Sequence, residues 1–193
     1  MKNIINNILK DSIGKSFNTT NLQQRGVADV IEKYICEQII KIDDQNLIIE
    51  ESKTKKSLED IQIKNNQELY KIDIKTHDIN SDFSMPNLIS VDRLKKFYEN
   101  DNNYIIYIFV SYNTINNNTQ IKNIQIRFIE ELSWDILGIQ NLGKGQLQIK
   151  NMNNQLIFVE INRINWINTL KQNMIKFYKK QIEKTQKLID ELT

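Results

Sequence analysis

Four residue types are scarce in this chain of 193 residues: it has one cysteine, one histidine, one proline and five glycines. The lone Cys36 cannot form an internal disulfide, and the lone His77 cannot build a typical zinc site. So little proline and glycine also excludes a collagen-like or linker-rich chain. Because Cys36 lies in an apolar helical pattern, we expect it to be a buried thiol in a reducing cytoplasm.

Long hydrophobic runs and a large charge imbalance are absent as well. The N-terminus lacks the apolar run of a signal peptide, and no stretch approaches a membrane-spanning helix, so we expect a cytoplasmic protein that does not contact membranes. The net charge of +2 is unlike that of a histone-like protein but is compatible with a local basic cleft. The sequence also lacks a G-x-x-x-x-G-K phosphate loop, which argues against an ATP-driven motor, and a serine or cysteine nucleophile with a plausible histidine partner.

Hydrophobic periodicity predicts a single domain over residues 1–193, with no internal repeat. Helical spacing predicts helices near 3–10, 22–42, 89–98 and 165–192. Alternating or continuous apolar runs predict strands near 58–64, 68–76, 104–112, 121–131, 145–150 and 156–161. The polar stretches 52–57 and 113–119 are predicted loops. The expected class is α/β or α+β: a mixed central β-sheet flanked by helices, with a long C-terminal helix.

Two predicted strands joined by a short polar turn carry an acidic pair and a lysine. Asp60 lies near the start of the first strand, and Asp73-Ile74-Lys75 lies near the end of the second. An antiparallel hairpin brings the carboxylates of Asp60 and Asp73 side by side, and strand alternation puts Asp73 and Lys75 on one face. Mg²⁺ prefers carboxylate oxygens, and a neighbouring lysine would orient an attacking water or offset charge developing on a phosphate. The pattern predicts a metal-dependent phosphodiesterase site.

An acidic residue two positions before a lysine is a common pattern, and two alternatives to a catalytic site at Asp73 and Lys75 exist. Glu51-Ser52-Lys53 has the same form, but the polar run after it is typical of a loop, and no hairpin strand precedes it. Asp60 and Asp73 would also fit an ordinary solvated strand face, and this alternative stays open on the pattern alone.

The spacing of Asp60 and Asp73-Ile74-Lys75 resembles the PD-(D/E)-x-K motif of a nuclease superfamily, although Glu59 stands where that motif often has proline. The surrounding segments resemble type II restriction endonucleases, in particular blunt-cutting enzymes that recognise GTYRAC. The matching segments, in chain order, are 27–33, 73–76, 86–90 with Leu94, 146–148 after Trp134, and 166–189. The resemblance therefore extends over most of the chain, and it implies a restriction-endonuclease-like fold.

The resemblance also implies a partner set and a division of roles. Family members are homodimers that cut both strands of a short palindrome in double-stranded DNA and use Mg²⁺, with Mn²⁺ as a substitute. Asp60 and Asp73 would bind the metal, and Lys75 would orient the water or act electrostatically. Glu32 would be a supporting acidic residue, although a solvated helix position fits it nearly as well. A cognate DNA methyltransferase is the implied genetic partner, because a host must protect its own sites.

A glycine-containing loop supplies candidate DNA readers. Lys144 and Gln146 lie next to Gly143 and Gly145, and Gln148 follows them on a predicted strand. Glycines allow a close backbone approach to DNA, and lysine and glutamine side chains can hydrogen-bond base edges in the major groove. We therefore predict that Lys144, Gln146 and Gln148 are major-groove readers or neighbours of readers. A β-turn followed by a solvated polar strand is the alternative.

Further DNA contacts are predicted after the catalytic strand. The candidates are Thr76, His77, Ser84 and Asn87. We expect His77 to face the DNA side near a phosphate, although a lone histidine is more often a bystander. Ser84 stands where the resembling enzymes have glutamine, which puts a minor-groove contact in doubt. Arg93, Lys95 and Lys96 would contact phosphates or form a solvated helix face.

Two other functions fit the same residues. One is a repair or structure-specific nuclease of the same superfamily, which shares the catalytic core but recognises DNA structure instead of sequence. The other is a non-catalytic DNA-binding or protein-binding domain in which the Asp-x-Lys pattern is accidental.

Overall fold

The computed structural model describes residues 1–52, 59–81, 86–150, 156–160 and 162–192, and this part of the chain contains four α-helices and nine β-strands. The helices are α1 (Lys2–Leu9), α2 (Gln24–Ile40), α3 (Val91–Phe97) and α4 (Arg163–Asp190). The strands are β1 (Ser16–Asn18), β2 (Leu47–Glu51), β3 (Ile61–Asn65), β4 (Glu68–Asp78), β5 (Asn87–Ser90), β6 (Asn103–Ile115), β7 (Asn118–Phe128), β8 (Leu137–Gln140) and β9 (Gln146–Ile149).

Six strands form the central sheet in the order β1-β7-β6-β4-β3-β2. Neighbouring strands are antiparallel except β4 and β6, which are parallel, so the predicted mixed sheet is confirmed. The apolar run in β6 is buried on both faces, as expected for a central strand. Ile106 and Ile108 pack on the side of α1 and α2, whereas Tyr107 and Phe109 pack on the side of α3, α4 and β9. The sheet therefore separates two hydrophobic cores.

A second sheet, in the order β5-β9-β8, was not predicted. Residues 87–90 pair with β9 as a strand, so the predicted helix at 89–98 was wrong at its start, and α3 begins at Val91. Strands β2 and β8 were also missed. The strand predicted at 156–161 is reduced, in the described part of that segment, to an isolated bridge between Phe158 and Leu132.

The polar stretch 113–119, predicted as a loop, is mostly part of a long hairpin. Strand β6 extends to Ile115, and β7 begins at Asn118. Asn116 and Asn117 form the turn with φ values of 50° and 60°, a conformation that asparagine tolerates better than most residues. The loop prediction was wrong because asparagine and threonine dominate both strand ends and hide the alternation of polar and apolar residues.

The predicted long C-terminal helix is present as α4. Its first half buries Trp166, Leu170 and Met174 in the core that also contains Tyr107 and Phe109. The indole Nε1 of Trp166 donates to the carbonyl oxygen of Leu132 at 3.1 Å. None of the helices in the described ranges is long and apolar enough to cross a membrane.

A cationic side chain joins α4 to the segment before β6. The Arg163 guanidinium lies 4.5 Å from the ring centroid of Tyr98 and donates to the carbonyl oxygens of Asp101 and Asn103 at 2.7 and 2.6 Å. Its Nε lies 3.4 Å from Oε1 of the buried Glu130, which also accepts a hydrogen bond from the Tyr98 hydroxyl at 2.8 Å. Arg163 thus offsets the charge of a buried carboxylate.

Replacing Arg163 should destabilise the fold markedly. Arg163→Ala leaves Glu130 buried without its cation, and we expect the free energy of unfolding to fall by about 3 kcal/mol. Chemical denaturation followed by circular dichroism measures the change. Lys180→Ala, at an exposed position of the same helix, is the matched control and should change stability by less than about 0.5 kcal/mol. Equal stabilities of the two variants would contradict the role assigned to Arg163.

Candidate active site

The β3–β4 hairpin places the two predicted aspartates side by side. The ladder between β3 and β4 ends at the pair Ile61 and Ile72, and one residue further the side chain of Asp60 interacts directly with the carboxyl group of Asp73. The backbone N–H of Asp60 donates to the carbonyl oxygen of Ile72 at 2.9 Å, and its Oδ2 accepts from the backbone N–H of Ile74 at 2.7 Å. The Asp60 carboxylate therefore takes the place of a backbone partner at the edge of β4.

Asp73 and Lys75 share a face of β4 and form a close ion pair. Lys75 Nζ lies 2.6 Å from Asp73 Oδ2, and the two side chains are only 21% and 13% exposed. Within the described residues, this buried oxygen makes no hydrogen bond of ordinary geometry. Burial raises the pKa of Asp73 to about 7; Lys75 opposes this rise and Asp60 adds to it.

Helix α2 contributes a third carboxylate beside the aspartates. Burial raises the pKa of Glu32 to about 7, with the negative charge of Asp60 adding to the shift and Lys75 opposing it. These couplings mean that Glu32, Asp60 and Lys75 are close in space although α2 and the hairpin are far apart in sequence. The structure thus brings together all four residues predicted for catalysis.

An ion pair that the sequence analysis missed lies next to this group. Oε2 of Glu59 lies 2.9 Å from Nζ of Lys71, and both side chains are less than one fifth exposed. The Lys71 ammonium also lies 5.3 Å from the ring centroid of Phe97. The hairpin register pairs Lys71 with Gln62, so nothing in the sequence pointed to Glu59 as its partner. Glu59 occupies the position where the resembling motif often has proline, and here the ion pair with Lys71 anchors this residue directly before Asp60.

The acidic group lies in a cleft of about 1040 Å³. One wall comes from α2 and the end of β2, and the other comes from β5, α3 and the loop between β8 and β9. The ionisable residues that line it are Asp29, Glu32, Lys33, Cys36, Glu51, Glu59, Asp60, Asp73, Lys75, Asp92, Arg93 and Lys144. Among the residues that the structure describes, seven carboxylates face four basic side chains in the cleft. Glu51, set aside on sequence grounds, lies at the end of strand β2 and lines the same cleft.

The predicted DNA-reading residues divide into two groups. Lys144 and Gln146 line the cleft, on the wall opposite α2. Gln148 is buried, and its Nε2 donates to Oδ1 of Asn87 at 3.1 Å, so these two residues bind each other and do not line the cleft. Arg93 lines the cleft, and Lys95 and Lys96 lie on the exposed side of α3.

The loop that carries Lys144 is held from behind by α4. Gly145 has φ +106°, and a Cβ there would lie 3.0 Å from Val91 and 3.1 Å from Phe177. The Tyr178 hydroxyl donates to the carbonyl oxygen of Lys144 at 2.8 Å. Only glycine fits at position 145 without displacing these neighbours.

The other predicted DNA-contacting residues in the described part of the chain, Thr76 and His77, lie away from the cleft. Thr76 and His77 line a separate cavity of about 320 Å³ with Arg25, and His77 is only 8% exposed. Burial lowers the pKa of His77, which disfavours its cationic form. The structure therefore places Thr76 and His77 in a cavity separate from the cleft that holds Asp60 and Asp73. Ser84 lies outside the described residues.

The carboxylates of Asp60 and Asp73 are the candidate ligands for a divalent cation. No three His, Cys, Asp or Glu side chains in the described segments are close enough to form a metal site by themselves. Mg²⁺ needs fewer protein ligands, because one or two carboxylates combine with water and phosphate oxygens. The adjacent carboxylates of Asp60 and Asp73, one with a buried oxygen that lacks an ordinary hydrogen bond, fit such a site.

The mixed sheet, the flanking helices and the cleft beside β4 define a restriction-endonuclease-like fold. The solved structure of the NlaIV restriction endonuclease is similar to this chain, with a TM-score of 0.52 and 14% sequence identity over 92% of this chain and 85% of that one. At this identity, the likeness concerns the fold. No family model matches the chain, and no curated protein matches it.

Asparagine in place of Asp73 should stabilise the metal-free protein at neutral pH. Folding raises the pKa of Asp73 from its ordinary 3.8 to about 7, so its contribution to stability is full below the ordinary value and is lost as the pH rises to about 7. Asp73→Asn removes this titration. In EDTA, its free energy of unfolding should exceed the wild-type value by about 1 kcal/mol or more above about pH 7, and the gain should shrink below about pH 4.

The matched control for this measurement is Asp92→Asn, since Asp92 lines the same cleft but makes only an exposed ion pair with Lys96. Denaturation curves of the two variants and the wild type across this pH range separate the contribution of Asp73 from the rest. Parallel curves for all three proteins would contradict the burial penalty assigned to Asp73.

Proposed function

We propose that this chain is a Mg²⁺-dependent type II restriction endonuclease that hydrolyses both strands of double-stranded DNA at a short palindromic sequence. The observation that carries the proposal is the convergence of Asp60, Asp73 and Lys75 on the floor of one large cleft, with Glu32 beside them. The restriction-endonuclease-like fold supports the same conclusion.

In this proposal the two aspartates hold the cation, and Mn²⁺ can replace Mg²⁺. A cation bound there supplies Lewis acidity at the scissile phosphate. Hydrolysis adds a water oxygen to phosphorus and breaks the bond from phosphorus to a sugar oxygen. The Lys75 ammonium, held 2.6 Å from Asp73, orients the water and offsets negative charge that develops on the phosphate. Glu32 acts through its charge on the positions of Asp60 and Lys75.

The charge of the cleft supports a requirement for a divalent cation. Among the described residues, seven carboxylates against four basic side chains disfavour a DNA phosphate, and the pKa values of Asp73 and Glu32 are already raised to about 7. A cation at Asp60 and Asp73 relieves this repulsion where the scissile phosphate must lie. The cation would therefore favour both the approach of the scissile phosphate and its hydrolysis.

Sequence recognition is assigned to the wall opposite α2. Lys144 and Gln146 are the proposed readers of base edges in the major groove, and Arg93 contacts a phosphate. Gln148 and Asn87 bind each other and act on the readers indirectly. Thr76, His77 and Ser84 remain predictions from the sequence.

The same proposal includes a homodimer, because a palindromic site is matched by two-fold symmetry. It also includes a cognate methyltransferase and a cytoplasmic location. A structure-specific nuclease of the same fold is the second candidate, since the acidic cleft would serve either enzyme. The two differ in whether the readers contact base edges.

Substitution of the acid–lysine strand tests the catalytic assignment. Asp73→Ala and Lys75→Ala should each lower the cleavage rate by about 100-fold or more, because each removes a group that acts on the reacting phosphate, and should leave DNA binding largely intact. Lys64→Ala, at an exposed position of the same hairpin, is the matched control and should cleave like the wild type. Cleavage is measured on plasmid DNA and binding by fluorescence anisotropy. Cleavage retained in either active-site variant would rule out the assignment.

Digestion of defined plasmids separates the two nuclease candidates. With Mg²⁺ we expect discrete fragments from linear DNA, no cleavage in EDTA, and binding without efficient cleavage in Ca²⁺, whose looser coordination suits this chemistry poorly. Cleavage confined to branched or flapped DNA would exclude the restriction-enzyme proposal. A protein that binds DNA but cleaves none of these substrates would exclude both nucleases.

A further inference from the structure

The second half of α4 extends beyond the rest of the domain. Trp166, Leu170 and Met174 are its buried residues, and every described residue after Gln181 is exposed. The helical residues 182–190 span about 13 Å at the usual rise of an α-helix. A helix of this length gains most of its stability from packing of an apolar face, so an unpacked end is marginal by itself.

This projecting helix carries a straight stripe of isoleucines. Ile164, Ile175, Ile182 and Ile189 are 68%, 55%, 67% and 48% exposed. They are spaced by eleven, seven and seven residues, so successive members differ in direction by about 20° around the helix. Single exposed apolar residues are normal, but Ile175, Ile182 and Ile189 keep one heptad position apolar over two repeats, as one of the two core positions of a helix–helix seam does.

The charges along α4 indicate what kind of helix fits the stripe. Lysines predominate between Leu170 and Leu188, at positions 171, 176, 179, 180, 184 and 187, whereas Asp190 and Glu191 make the end acidic. A second copy of α4 aligned in parallel would set lysine against lysine and acid against acid. An antiparallel copy sets the acidic end of one helix beside Lys171 and Lys176 of the other, which is favourable.

The spacing also fixes an antiparallel register. Ile175 and Ile189 are equally distant in sequence from Ile182. A two-fold axis at Ile182 therefore sets Ile182 against its own counterpart and Ile175 of each copy against Ile189 of the other. Such a self-complementary contact is the usual form of a symmetric dimer interface.

We propose that the isoleucine stripe of α4 is a docking surface for a second copy of this chain, with the two helices antiparallel about Ile182. The inference stands on α4 and does not require nuclease activity, but it names the interface of the homodimer proposed above. It also links the interface to the cleft, because Tyr178 on this helix holds the backbone of Lys144 and Phe177 packs on Gly145. The second helix would run beside the segment that supports the proposed reading loop.

Sedimentation over a wide concentration range tests self-association. We expect a monomer–dimer equilibrium for the wild type and a dissociation constant raised about tenfold or more for Ile182→Glu, with an unchanged circular dichroism spectrum. Ile115→Glu, at an equally exposed isoleucine in the β6–β7 turn, is the matched control and should dimerise like the wild type. A monomeric wild type, or equal effects of the two variants, would overturn the proposal.

Disulfide trapping tests the orientation, in a Cys36→Ser background so that the introduced thiol is the sole cysteine. Ile182→Cys should link to itself on oxidation, because the antiparallel axis brings the two residues together. Ile175→Cys and Ile189→Cys should not link alone but should link when mixed. Self-linking of all three variants would indicate a parallel pair and overturn the antiparallel register. If Ile182→Glu instead weakened DNA binding without affecting self-association, the stripe would serve nucleic acid, and the second copy would be excluded as its occupant.

Discussion

The site depends on one hydrogen bond that a side chain makes in place of a backbone group. Strand β3 begins at Ile61, and beyond that point the carboxylate of Asp60 accepts the N–H of Ile74 that a longer strand would have bound. The pairing of β4 with β3 thus ends where the acidic residues begin. In the described part of the chain, β3 does not pair with β4 beyond Ile72, and Glu32 of α2 reaches the same group of charges.

The concentration of charge that results is costly to the fold. Asp73 and Glu32 both have pKa values raised to about 7, chiefly by burial, so near neutrality each carboxyl is about half protonated and its ionised form is disfavoured by its surroundings. The close Lys75 ammonium offsets part of this cost at Asp73. A purely structural role would favour neutral side chains at these positions, since removal of buried charge is often neutral or stabilising. The retained charges fit a site that binds a cation and a phosphate, which is the function proposed.

Local patterns predicted the hairpin well and the second sheet poorly, for physical reasons. Strand alternation and a short turn specify a two-stranded hairpin, so the side-by-side arrangement of Asp60 and Asp73 and the common face of Asp73 and Lys75 followed from sequence alone. Strand β9 was predicted, but its four-residue partners β5 and β8 are too short to show a period, and residues 89–90 of β5 were assigned to the helix after them. The burial of His77 and the hydrogen bond between Gln148 and Asn87 depend on which distant segments pack there. The Glu59–Lys71 ion pair is likewise set by tertiary packing, because register places Lys71 opposite a glutamine.

The two cores give the two walls of the cleft different supports. The acidic residues come from β3, β4 and α2, which pack in the core on one face of the sheet, whereas Lys144 and Gln146 belong to the sheet of β5, β9 and β8, which packs with α3 and α4 on the other face. The loop at Lys144 contacts α4 through Tyr178 and Phe177. Strand β6 contributes side chains to both cores. In the proposed enzyme, this arrangement lets residues that read DNA vary while the geometry of the acidic group is preserved, because the two sets of side chains share few packing neighbours.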